Sequence, residues 1–159
     1  MGMASSLILV ANPGSASRKY ALYEGAKPRA TIHFEWAEGS IVCTLKQGEK
    51  SQNVGTSLRD LQTTAESVKA IFLATEVLEA HEEISAIGIR IVAPGHYFQE
   101  DHVVNDEFMK QLNKAVSAAP LHISATLQEV ATLRKSFPDT LIFGISDSRF
   151  HASKPEKAK

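Results

Sequence analysis

An amide, two hydroxyls and two cations crowd one short stretch of this sequence: Asn12, Ser15, Ser17, Arg18 and Lys19, set around the turn pair Pro13-Gly14. Small side chains leave backbone N–H groups open, and such turns form anion-binding concavities. Lys19 adds a point charge suited to phosphate. Further along, Arg90 ends one apolar run and Asp147 follows another. A cationic, hydroxyl-lined loop with an arginine and an aspartate is a set suited to phosphoryl transfer. That chemistry asks the protein mainly for cations around the moving group and for carboxylates or amides to place Mg²⁺ and its waters. Each residue also has an ordinary reading. The loop can be a solvated hairpin tip, Arg90 can simply pair with Asp147, and His122 and His151 can be satisfied histidines. The loop is neither a Walker A motif nor Gly-x-Gly-x-x-Gly.

The flanking patterns dictate how these residues are held. The apolar run Leu7-Ile8-Leu9-Val10 reads as a buried strand, and Tyr20-Ala21-Leu22-Tyr23 as the strand that returns from the loop. Residues 30–36 and 40–46 predict two more strands, and 49–56 a short edge strand. From 57 to 80, Leu61, Ala65, Val68 and Phe72 keep a helical spacing that Ile71, Val77 and Leu78 extend. Residues 85–92 predict a buried strand carrying Arg90. A helix capped by Asn105 or Asp106 follows and is closed by Ala119-Pro120. Ser124 caps a third helix, with Leu127, Val130, Ala131 and Leu133 facing inward, and 141–145 is a last strand that delivers Asp147. An antiparallel meander followed by alternating strands and helices is an α/β pattern of the ribonuclease-H-like kind. Ligands of open sheets gather at strand C-terminal ends, so Asn12, Arg90 and Asp147 are expected on one rim.

Composition narrows the classes. The chain has 159 residues, a formal net charge of −1 and 43% hydrophobic residues. That is enough for one domain or a large lobe, without the basic field that nucleic acid or an anionic membrane calls for. No run approaches the ~20 apolar residues of a membrane span. The single Cys43 has no partner in the chain and fits a reducing, cytoplasmic setting. The N-terminal apolar run lacks the basic residues that open a secretory signal.

Four segments, in order, resemble the acetate kinase (acetokinase) family, which includes propionate and butyrate kinases. Val10-Ala11-Asn12-Pro13-Gly14-Ser15-Ala16-Ser17-Arg18-Lys19-Tyr20 resembles the family's opening motif. Ile87-Gly88-Ile89-Arg90-Ile91-Val92-Ala93-Pro94-Gly95 resembles its Gly-His-Arg-Val-Val-His-Gly-Gly segment. Ala119-Pro120-Leu121-His122 matches its Ala-Pro-Leu-His, and the stretch 143–151 resembles its Phe-Asp-Thr-x-Phe-His segment. The sequence departs from the pattern at Ile89, Ala93, Pro94 and Ser146.

The resemblance implies the fold of acetate and sugar kinases, heat-shock ATPases and actin. Residues 1–151 would form the N-terminal lobe, 152–159 a frayed polar tail, and the C-terminal lobe would be absent. It implies ATP as co-substrate, Mg²⁺ as cofactor and a short-chain carboxylate such as acetate as acceptor, giving an acyl phosphate. By position, Arg90 and Asp147 would be catalytic, and Asn12, Ser15, Ser17 and Lys19 would bind phosphate. Asn12 would also reach Mg²⁺, directly or through water, and Val92 and Leu121 would line the acyl pocket. A lone lobe would be an incomplete enzyme. The alternative is a non-catalytic lobe that binds a ligand or partner.

Overall fold

The computed structural model describes residues 5–152. The tail expected over 152–159 therefore lies outside the described residues, except for the backbone of Ala152. The chain opens with an antiparallel meander of β1 (Leu7–Pro13), β2 (Ser17–Glu24), β3 (Lys27–Ala37), β4 (Ser40–Gln47) and β5 (Lys50–Val54). A 3₁₀ turn leads into α1 (Thr64–Ala74), and β6 (Ile84–Ile91) follows. Next come the short β7 (His102–Val103), α2 (Asp106–Val116), α3 (Pro120–Ser136), β8 (Leu141–Ser146) and α4 (Asp147–Ala152). All eight strands join one sheet in the order β5-β4-β3-β2-β1-β6-β8-β7. Within it β1, β6 and β8 are parallel neighbours, so their C-terminal ends open on the same rim.

Strand alternation divides the sheet into two faces. Leu7, Leu9 and Ala11 of β1, Tyr20 and Leu22 of β2, and Ile87, Ile89 and Ile91 of β6 are buried beneath α1–α3. On the other face Val10, Leu141 and Ile145 are substantially exposed. Gly144 is required where β8 passes α2: a Cβ there would lie 2.6 Å from Phe108 and 3.1 Å from Ile91.

Three helix boundaries differ from the sequence expectation. The helix expected over 57–80 is shorter: Asp60 caps the 3₁₀ turn that leads into α1, accepting from the N–H groups of Gln62 and Thr63 at 2.9 and 3.2 Å, so nothing before residue 61 is helical. Its end is a Schellman turn. Glu76 takes φ 59° and donates to Leu73 O, while Val77 donates to Phe72 O. Val77 and Leu78 are buried, but beyond the helix. Pro120 does not close a helix. It opens α3 at the first position, where a missing N–H costs nothing, so Ser124 lies inside the helix rather than capping it. Ala131, expected inward, is exposed, and Glu129 takes an inward place instead. β7 carries no legible signal, being a two-residue edge pairing with β8.

Candidate functional site

The rim at the ends of β1, β6 and β8 gathers the expected residues around a hollow of about 120 Å³. It is lined by Asn12, Gly14, Ser15, Arg90, Val92 and His122, with Thr126 and Ala125 on the α3 side. Asn12 is in the last turn of β1, where the strand alternation turns its side chain away from the core. Gly14 tightens the bend by donating to Ser17 O at 2.8 Å, and a Cβ on it would come 3.1 Å from that oxygen.

Arg90 alternates with the buried Ile89 and Ile91, which sets its guanidinium on the open side of β6. Its Nε donates to Asp147 Oδ1 at 2.8 Å. The other carboxylate oxygen of Asp147 lies 3.3 Å from His151 Nε2, one helical turn on. Asp147 is thus clamped from both sides and fixes the arginine's orientation. Among the described residues no hydrogen bond occupies the Arg90 Nη groups, and the side chain is 48% exposed. The bend after β8 is pinned by Ser146. Its hydroxyl donates to Phe98 O at 2.6 Å and accepts from Arg149 N at 3.1 Å. Its N–H donates to Asp101, which also pairs with Arg149 at 2.9 Å.

Other expected residues stand elsewhere. Lys19 pairs in register with Asn12 across β1–β2 but lines a neighbouring hollow of about 350 Å³ on the open sheet face, beside His33. Ser17 opens β2 and lines neither hollow. Val92 is at the hollow's wall, whereas Leu121, 84% exposed, lines a larger hollow next door.

Arg18, read from the sequence as a cation of the hairpin tip, is instead 3% exposed. It shares the inward face of β2 with Tyr20 and Leu22. Its Nε faces Glu129 Oε2 at 3.4 Å, too poorly aligned to be a hydrogen bond. The Tyr20 hydroxyl donates to the other oxygen of Glu129 and lies 2.8 Å from Thr64 Oγ1. Burial raises the Glu129 carboxyl above its ordinary range, against the lowering pull of Tyr20 and Arg18. Burial, with the Glu129 charge second, raises the Tyr20 hydroxyl too. This network ties the loop's returning strand to α1 and α3. Thr126 of the hollow and Glu129 behind it were missed because they lie on α3, far along the chain from the loop they face, and His122, read as a satisfied histidine, is exposed on the hollow's wall.

The departures at Ile89 and Ser146 fall outside the hollow. Ile89 packs into the core on the opposite face from Arg90, and Ser146 turns inward to hold the bend.

The acetokinase family profile matches residues 7–159. The chain belongs to the acetokinase family. It is 31% identical over 157 residues to an acetate kinase of Clostridium botulinum (strain Alaska E43 / Type E3), covering 95% of this chain and 39% of that protein. A solved propionate kinase from Francisella tularensis subsp. tularensis SCHU S4 superposes with a TM-score of 0.79 at 26% identity, over 96% of this chain and 39% of that one. Porphyromonas gingivalis acetate kinase shares the fold with a TM-score of 0.83 at 24% identity, over 96% of this chain and 40% of its own. The acetokinase chain described here therefore has the architecture of the acetate and sugar kinase, heat-shock ATPase and actin fold, and it spans about 39% of the curated relatives' length. No helix among the described residues is long and apolar enough to cross a membrane.

Proposed function

We propose that residues 1–151 form an acetokinase N-terminal lobe that supplies the acyl and phosphoryl wall of a two-lobed kinase site. The reaction is ATP- and Mg²⁺-dependent phosphoryl transfer to a short-chain carboxylate in the cytoplasm. The observation that carries this reading is the Arg90 guanidinium, oriented by Asp147 at 2.8 Å, on one hollow with Asn12. An arginine so held can grip a carboxylate or a phosphoryl group through its Nη donors without reorganising as charge develops. Val92 bounds the acyl tail, with Leu121 approaching from the adjoining hollow. Ser15, Ser17 and Lys19 add hydroxyls and charge around the phosphate end.

The donor set suits Mg²⁺. Asn12 offers a hard oxygen on the hollow, and Asp147 a carboxylate behind it whose two oxygens face Arg90 and His151; such ions bind through one or two carboxylates plus substrate phosphates and waters. When bound, the ion neutralises phosphate charge. Asp147 has the further task of holding Arg90.

The chain alone presents one wall of a cleft, so it binds without appreciable turnover. Positioning two substrates and excluding water both need a second wall. In a hydroxamate assay with acetate, ATP and Mg²⁺, the chain is expected to give a flat trace, with turnover restored by a separately expressed C-terminal lobe. In an NMR titration with phosphate, amides of residues 12, 14 and 90 shift, and Arg90→Ala removes the shifts. Ordinary kinase turnover by the chain alone would overturn the half-site reading, and unmoved amides would overturn the assignment of the hollow.

A further inference from the structure

Beside the Arg90 hollow lies a larger one, of about 570 Å³, of which the proposed phosphoryl transfer uses only the edge formed by Ser15 and Leu121. Its size falls within the roughly 300–1,000 Å³ range of small-ligand sites. Arg18 and Arg59 line it, with Trp36, Leu121, Gln62 and Gln128. Trp36 is 52% exposed and Leu121 84%, so a broad apolar wall faces water. An indole face of this kind stacks flat rings.

The charge in the hollow is poorly balanced. Arg18 is permanently protonated and almost wholly buried. Glu129, its counter-ion, divides its oxygens between Arg18 and the Tyr20 hydroxyl, and the Arg18 Nε makes no hydrogen bond. Arg59 is exposed and makes no ion pair among the described residues. Asp60 is the one carboxylate on the lining, and its Oδ1 is occupied by the N–H groups of Gln62 and Thr63. Among the described residues Arg59 thus stands without a counter-ion, and Arg18, paired with Glu129 from behind, keeps an Nε that makes no hydrogen bond.

We propose that this hollow is a second binding site, distinct from the Arg90 hollow, for a small anion joined to a flat ring. The anionic part lies toward Arg18 and Arg59, and the ring lies against Trp36 and Leu121. The two hollows share only Ser15 and Ala125 of their walls.

Trp36 is the chain's single tryptophan, so its fluorescence reports on this hollow alone. The probe is 4-nitrophenyl phosphate, whose nitrophenyl ring quenches indole emission. 4-Nitroanisole serves as the uncharged ring and inorganic phosphate as the bare anion. Saturable quenching is expected with 4-nitrophenyl phosphate, and binding about tenfold weaker or more with 4-nitroanisole, the loss of one charge-assisted contact. Inorganic phosphate competes weakly. Arg59→Ala, an exposed change that leaves the core intact, weakens the probe by a similar factor, while Arg90→Ala leaves it unchanged. Three results would each sink the proposal: linear, unsaturable quenching; equal binding of probe and 4-nitroanisole; or an affinity lost in Arg90→Ala but kept in Arg59→Ala. The last would assign the probe to the neighbouring hollow. Because the phosphate titration reads amides 12, 14 and 90, none of which lines this hollow, and this one reads Trp36, either site can fail without the other.

Discussion

Glu129 is the residue on which the loop's support turns. It is 1% exposed and serves both Arg18 and Tyr20. A buried ion pair weakly favours folding, but removing one partner strands the other charge. Glu129→Ala is therefore expected to cost about 3–5 kcal/mol, read as a lower urea midpoint, because Arg18 would be left buried and uncompensated. A loss under 1 kcal/mol would show that water reaches the guanidinium. At the opposite end of the sheet, Glu82 accepts from Arg29 at 2.7 and 2.8 Å and from the Glu79 N–H at 3.0 Å. Those contacts, the Arg29 bonds foremost, hold its carboxyl down to about 2 from an ordinary 4.5. The folded form binds this proton less readily than the unfolded form. The stability it confers is therefore complete above the ordinary value and lost as pH falls toward about 2. Glu82→Gln should flatten the acid limb of stability against pH between those values. An unaltered limb would assign acid unfolding to other carboxylates.

At the scale of elements, two junctions place the site, and each can be tested at one residue. β8 must pass close under α2 to bring Asp147 beside Arg90. Gly144→Ala sets a methyl 2.6 Å from Phe108 and should cost about 1–3 kcal/mol by overpacking. Its structural mark would be a lengthened Arg90–Asp147 contact. A stability change near zero would mean that the Phe108 ring swings aside. The end of α1 is strained in the other direction. Glu76 is exposed yet left-handed, with φ 59°. Glu76→Gly keeps both bonds of the Schellman turn and should stabilise by about 1 kcal/mol, measured as a rise in melting temperature. A fall would show that the glycine's extra freedom in the unfolded chain outweighs the relief.

Across the whole molecule, one core joins the meander to the helical half, from Leu45 of β4 through Leu9 and Ile89 to Leu133 of α3. A shared core makes the two halves cooperative, so unfolding followed by Trp36 fluorescence and by far-ultraviolet circular dichroism should coincide. Trp36 sits on the meander and most of the dichroism comes from the helices. A fluorescence transition at lower denaturant would separate the meander as a unit of its own.

The strands of the meander and the apolar runs before Arg90 and Asp147 are legible in the sequence because alternation and β-branched content act locally. The same holds for the Asn105 cap, which accepts from Phe108 N at 2.9 Å. Family membership is legible too, because it rests on the order of short motifs. The ends of α1 and α3 were not legible. Several residues could cap or break each helix, and packing chose Asp60, Glu76 and Pro120 among them. Nor could the sequence say which cation of the loop is buried. Arg18 and Lys19 are adjacent and chemically alike, and only the sheet's two faces, one roofed by helices and one open, send the first to Glu129 and the second to water. Tertiary structure also separated Val92 from Leu121 and created the hollow beneath Trp36. Its walls come from five stretches that no local pattern brings together: the loop tip, β2, β3, the turn before α1, and α3. Local physics writes elements into a sequence, whereas a cavity exists only between elements once they have packed.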